Sequence, residues 1–174
     1  MALGVLAYPE WNRKDFERIQ DFRKAHDELY YQVVQPHFAF VFPMEGIGKE
    51  AFLNEAKKQS QGFEPIDFEI RCATINKDAF LPYYHLLLVP EKGYSQVVRL
   101  HDRLYSDLFR SHLRLDIDFI PHVGIANSQD PVLVKQWVDS WNQELFCMRG
   151  RMASLTVIEY SKGILNDLHT LRLG

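Results

Sequence analysis

Two histidines stand in matching phrases about half a chain length apart: Pro36-His37-Phe38-Ala39-Phe40 and Pro121-His122-Val123-Gly124-Ile125. Imidazole has an ordinary pKa of about 6.5, so near neutral pH one ring can be neutral while its partner is charged. Two such rings on either side of a phosphorus atom can work in line. One removes a proton from an attacking water or hydroxyl, and the other delivers a proton to the departing oxygen. That chemistry needs neither a metal nor a covalent intermediate.

Each phrase reads as part of a β-strand. Side chains alternate along a strand, so His37, Ala39 and Val41 are expected on one face and Phe38, Phe40 and Phe42 on the other. In the second phrase His122, Gly124 and Ala126 oppose Val123 and Ile125. Both histidines therefore share a face with small residues, as a cleft that admits a ligand requires.

The elements that must present them follow from apolar periodicity. Gly4–Tyr8 reads as a strand and Asp15–Tyr31 as a helix with Phe16, Ile19, Phe22, His26 and Leu29 on one side. Val33–Phe42 is the first histidine strand, Lys49–Gln59 a helix, and Ile66–Ile75 and Tyr83–Val89 strands. Ser95–Phe109 is a helix carrying Val97, Leu100, Leu104 and Leu108, and Ile117–Ala126 is the second histidine strand. Asp130-Pro131 is a helix start, since Asp caps free amides and Pro suits the first turn. That helix carries Val134, Trp137, Trp141 and Leu145, and strands follow over Met152–Tyr160 and Leu168–Leu173. Strand, helix, histidine strand, helix, strand thus occurs twice. The expected fold is α+β: one two-lobed domain over residues 1–174, with lobes near 1–90 and 91–174 that can exchange elements. Antiparallel sheets line a central cleft and helices lie outside.

Bulk composition removes several function classes. The 174 residues are 47% hydrophobic and 25% charged with a formal net charge of −3, which is no nucleic-acid coat. Cys72 and Cys147 form no C-x-x-C pair and suit a reducing, cytoplasmic setting. The N-terminal apolar run stops at Pro9 and reads as a strand rather than a leader. No run approaches bilayer-spanning length. No H-E-x-x-H, clustered Cys/His spacing, phosphate-cradling Gly-rich loop or G-x-S-x-G turn occurs, so neither a metal nor a cofactor is expected.

On these residues the chain resembles the two-histidine phosphoesterase superfamily, which contains 2′,5′ RNA ligase-like proteins and 2′,3′-cyclic nucleotide phosphodiesterases. That family carries two copies of His-x-Thr/Ser-x on strands of two pseudo-symmetric α+β lobes. The matching segments here are His37-Phe38-Ala39-Phe40 and His122-Val123-Gly124-Ile125. The resemblance implies His37 and His122 as acid–base residues acting on an RNA end or nucleotide with a 2′,3′-cyclic phosphate or a 2′,5′ linkage. It also implies that hydroxyls two residues beyond each histidine hold phosphate oxygens. Here those positions are Ala39 and Gly124.

Hydrogen bonds to a charged group contribute roughly 1.5–3 kcal/mol each, so losing both removes about 3–6 kcal/mol. That is on the order of a hundred- to ten-thousand-fold in rate if expressed in the barrier. The Gly124 amide, an ordered water, or a basic side chain such as Arg71, Arg151 or Lys162 are the available replacements. Tyr160, which closes a strand beside Lys162, is a further candidate for nucleotide contact. His85 reads as a packed residue on an apolar strand, though it shares a face with Tyr83. Two readings stay open beside the enzyme: a nucleotide- or RNA-end-binding module of the same fold, and a structural protein that has lost the site. A monomer is expected.

Overall fold

The computed structural model describes all 174 residues. Nine strands form two antiparallel sheets. The first contains β1 (Ala2–Ala7), β3 (Phe38–Met44), β8 (Ser154–Ser161) and β9 (Ile164–Arg172), in the order β3-β1-β8-β9. The second contains β2 (Glu10–Trp11), β4 (Ile66–Lys77), β5 (Tyr84–Lys92), β6 (Val123–Ser128) and β7 (Met148–Met152), in the order β2-β7-β4-β5-β6. Each sheet draws strands from both halves of the chain. The two strands that follow the histidines, β3 and β6, are both sheet edges.

The helices are exchanged in the same way. Helix α1 (Arg13–His26), of the first half, follows β2 and packs on β6; helix α3 (Tyr94–Leu104), of the second half, follows β5 and packs on β3. Helix α2 (Lys49–Ser60) lies against α3 and β1, and α4 (Pro131–Gln143) covers β4, β5 and β6. One continuous apolar core results, from Leu3, Val5 and Phe38 of the first sheet to Leu86, Leu88 and Ile125 of the second.

Local chemistry sets the helix ends. Asn12 caps α1 by accepting the Asp15 amide at 2.9 Å, and Asp130 caps α4 by accepting the Val132 and Leu133 amides. The first helix stops at His26, not Tyr31. Asp27 leaves the helical conformation, and its carboxylate takes the Arg23 guanidinium and the Tyr30 amide. Phe16 is exposed, while Ile19 and Arg23 are the buried residues of α1. Helix α3 stops at Leu104, five residues before the expected end. A 3-10 turn over Asp107–His112 resets the phase, burying Phe109 and exposing Leu108. Helix α4 stops before Leu145, which is fully exposed.

Both histidine strands start later than their composition suggests: β3 at Phe38 rather than Val33, and β6 at Val123 rather than Ile117. Residues 33–36 do not enter a ladder, because the Val34 carbonyl accepts the Arg23 guanidinium instead. The strict face alternation expected in each phrase also fails at one matching place. Leu6 pairs with Ala39 and Val5 with Val41, so Phe40 is a bulge residue. Leu87 pairs with Gly124 and Leu86 with Ala126, so Ile125 is a bulge residue. A bulge shifts the following residues to the other face. Val41 and Ala126 therefore join the core, and Phe42 turns half outward. Strands β2 and β7 have no expected counterpart; Met148-Arg149-Gly150-Arg151-Met152 lacks the β-branched composition that marks a strand.

Candidate active site

Each histidine sits immediately before its strand and is oriented by its own chain. His37 Nδ1 donates to the Gln35 carbonyl at 2.8 Å, and His122 Nδ1 donates to the Ile120 carbonyl at 2.5 Å. The bond reaches back two residues in both cases, across a buried proline, Pro36 or Pro121. A carbonyl can only accept, so the proton is on Nδ1 and the Nε2 lone pair is free.

Both rings are partly exposed yet closely surrounded by protein, as side chains in a concavity are. Burial pushes the His37 imidazole down to about 4, against the opposing Gln35 bond and with help from the charges of His122 and Arg23. Burial also lowers His122, opposed by the Ile120 bond and reinforced by His85. Each charge is felt at the next ring, so His37, His122 and His85 form one electrostatic cluster. At neutral pH the unliganded site offers two neutral imidazoles with unprotonated Nε2 atoms.

The segment between α1 and β3 closes one side of this cluster. Its Val34 packs on Leu6 and Ile158 of the first sheet, where Ala39 also lies. Its Tyr30 stacks on His85 with ring centroids 6.3 Å apart and 23° between planes. Burial raises the Tyr30 phenol, and Asp78, Tyr160 and Asp27 add to the effect. Tyr30 thus stacks on His85 of the second sheet and feels the charges of Asp78 and of Tyr160 on β8. Tyr8 meets His37 edge-on at 6.4 Å and donates to Asp167 at 3.0 Å.

A buried polar group underlies the loop. Arg23 is 1% exposed; it donates to Asp27 at 2.9 Å, to the Val34 carbonyl at 2.8 Å and to the Tyr30 carbonyl at 3.1 Å. Asp27 in turn accepts from Asn127 on β6 at 2.6 Å. The approach to His37 is therefore anchored to the strand that carries His122.

The other sequence-derived candidates are distributed around the molecule. Ala39 is half-buried beside Leu6 and Val34. A Cβ added at Gly124 would meet only Leu87, at 3.9 Å, so open space lies over this position. Arg71 is exposed and paired with Glu69 at 3.1 Å and Glu91 at 3.8 Å. Arg151 pairs with Asp67 at 2.8 Å and borders a cavity of about 300 Å³ with Glu10, Glu69 and Arg149. Lys162 is exposed at the tip of the β8–β9 hairpin. None of these three bases bonds to either histidine. Cys72 and Cys147 are both free thiols.

The sequence reading did not single out Arg23, Asp27, Asn127 or Tyr30, and it placed His85 among packed residues. The only signal was the Arg23/Asp27 spacing of one helical turn, which normally marks an exposed pair. No group of three or more His, Cys, Asp or Glu side chains is arranged to hold a metal ion, and no helix is long and apolar enough to cross a membrane.

A family model described as the 2'-5' RNA ligase superfamily matches residues 10–164. No curated protein matches the sequence. Among solved structures, TT0787 of Thermus thermophilus is similar with a TM-score of 0.64 at 11% identity, covering 99% of this chain and 98% of that one. E. coli LigT in its apo form gives 0.59 at 14% identity, covering 99% and 96%. Usb1 of Kluyveromyces marxianus gives 0.56 at 12% identity, covering 98% of each. E. coli LigT has also been solved with 3'-AMP, ATP and NADP+. At these identities the likeness is one of fold.

Proposed function

Because the chain belongs to the 2'-5' RNA ligase superfamily, we propose that it is a phosphoesterase acting on 2′,3′-cyclic phosphates or 2′,5′-phosphodiester linkages of RNA ends or nucleotides. The observation that carries the reading is the matched pair of Nδ1–H bonds, His37 to Gln35 and His122 to Ile120, which leaves two free Nε2 atoms on rings close enough to sense each other. One Nε2 takes the proton of the attacking water as it bonds to phosphorus. The other, protonated, gives its proton to the leaving ribose oxygen as the P–O bond breaks. After the turnover the first ring holds a proton and the second has lost one, so proton exchange with solvent resets the pair.

Electrostatics explains how the pair comes to hold one proton. Burial, with repulsion from His122 and Arg23 at His37 and from His85 at His122, keeps both unliganded rings neutral at pH 7. An anionic phosphoryl group between them offsets that repulsion and favours a single shared proton. Substrate arrival thus supplies the protonation state the reaction requires. The nucleotide complexes of E. coli LigT support a nucleotide as the ligand class. The two free thiols suit a reducing compartment such as the cytoplasm.

A second reading is a binding module that holds a nucleotide or RNA end without converting it. Ala39 and Gly124, which offer no hydroxyl to a phosphate oxygen, favour it. A panel of 2′,3′-cyclic nucleotides, assayed with the unsubstituted protein and with His37→Gln and His122→Gln, separates the two. Turnover that either substitution reduces by at least about a hundredfold supports catalysis. Binding without turnover at several pH values supports the module. Unchanged turnover in both variants rules the two-histidine mechanism out.

A further inference from the structure

The two-histidine mechanism leaves one polar side chain of the cluster without a role. His85 lies on β5, two residues from Leu87, the partner of Gly124 on β6. Period-two geometry puts His85 on the same face as Leu87. The Ile125 bulge lies between the Leu87–Gly124 pair and the His85–Asn127 pair, so His85 is the next residue of this face along β5. The space above Gly124 is open, since a Cβ there would meet nothing nearer than Leu87 at 3.9 Å. His85 is thus the polar side chain beside the place where the family's second hydroxyl would stand.

The ring is also held in place. His85 Nε2 donates to Asp78 at 2.8 Å, and the His85 and Asp78 side chains are only 13% and 12% exposed. The other Asp78 oxygen accepts the Phe80 and Leu81 amides, both at 2.7 Å, so the carboxylate cannot rotate away. Tyr30 stacks on the ring from the loop that leads to His37. A carboxylate that accepts from Nε2–H fixes the orientation of the ring and, in the neutral imidazole, leaves the lone pair on Nδ1. With Nε2–H committed to Asp78, Nδ1 becomes a donor when a phosphoryl anion beside it favours the doubly protonated, cationic ring.

We infer that His85, held by Asp78, is a third histidine of the site, and that its Nδ1–H binds an anionic phosphoryl oxygen where Gly124 offers no hydroxyl. The inference rests on the phosphoester reading for its ligand class but not on turnover. His85 is a binding residue here, not an acid or base, and Asp78 is its positioning residue. The charge of His85 is felt at His122. A ligand oxygen that receives His85 is the one a Ser or Thr at position 124 would otherwise receive.

The test uses inorganic phosphate as the probe and the imidazole resonances of the full chain as the readout. In the unsubstituted protein, phosphate is expected to shift the ring signals of His37, His122 and His85 together. His85→Gln is expected to weaken phosphate binding about ten- to a hundredfold, and to raise KM more than it lowers kcat on a 2′,3′-cyclic nucleotide. Adding Gly124→Ser to His85→Gln is expected to recover most of the lost affinity. If His37 and His122 shift while His85 does not, or if His85→Gln binds phosphate normally, the inference is overturned and the two-histidine reading stands. If all three rings shift but no cyclic nucleotide is turned over, the catalytic reading fails and the phosphate role of His85 stands. If no ring shifts, both are overturned.

Discussion

Asn127 donates to Asp27 at 2.6 Å, and the Phe42 amide donates to the Tyr105 hydroxyl at 3.0 Å. The two bonds hold corresponding positions, one given by a side-chain amide and the other by a backbone amide. Asn127 lies five residues beyond His122 and Phe42 five beyond His37, and Asp27 and Tyr105 each follow the last residue of a helix. Helix α1 of the first half thereby grips the histidine strand of the second, and helix α3 of the second half grips that of the first. Neither histidine strand is held by its own half alone. Both are sheet edges, with one backbone side free of a ladder, so these helix-end contacts help fix where each histidine stands.

The Arg23–Asp27–Asn127 group is expected to be costly to break singly and cheap to replace together. Arg23→Met leaves a buried carboxylate without its cation, for a loss of about 3–5 kcal/mol. Arg23→Met with Asp27→Leu is expected to be less destabilising than Arg23→Met alone, because no uncompensated charge remains. Urea unfolding of the two variants checks this. Equal losses would show that the guanidinium acts through its bonds to the Tyr30 and Val34 carbonyls rather than through the ion pair.

Stability is expected to fall as pH drops from about 6.5, the ordinary histidine value, toward the His37 value of about 4. The folded ring resists a proton that the unfolded chain accepts in this window. The unfolded state therefore binds more protons, and stability rises with pH across it. Burial lowers His26, His101 and His122 too, so all four act in the same direction. His37→Gln is expected to flatten the dependence between pH 4 and 6.5 in urea midpoints. An unchanged slope in that variant would mean that His37 protonates freely in the folded protein.

Restoring a hydroxyl in the first phrase tests whether the missing group limits the chemistry. Ala39→Ser is expected to raise kcat/KM on 2′,3′-cyclic nucleotides by about ten- to a hundredfold, the worth of one hydrogen bond to a charged oxygen. Ala39 is only half-buried, so a single added oxygen has room to face the cleft. A rate that does not change would show that position 39 lies outside reach of the phosphate, or that Leu6 and Val34 hold the new hydroxyl away from it.

The two Pro-His phrases were legible without a structure, and so was the two-sheet α+β fold. Apolar runs identified nine of the elements that surround them, but the boundaries moved wherever a side chain captured backbone groups. Arg23 took the Val34 carbonyl and delayed β3, and Asp27 took the Tyr30 amide and shortened α1. Alternation assigned the faces of His37 and His122 correctly up to the third residue of each strand, where the Phe40 and Ile125 bulges reversed it. Bulges arise from pairing with a second strand and leave no periodic mark in the first. His85 was passed over because an imidazole on an apolar strand looks the same whether it packs or binds; Asp78, seven residues earlier, is what distinguishes the two.

The sequence by itself determined the local state of each histidine. The Nδ1 bond reaches back two residues and crosses a proline, so its geometry is set within a tripeptide. What only the tertiary structure decided is which groups surround those rings: Tyr30 against His85, Arg23 beneath the loop, and each half's helix on the other half's strand. These contacts depend on core burial between residues as much as a hundred positions apart. Hydrophobic association is non-directional, so periodicity can say that a face is buried but not against what.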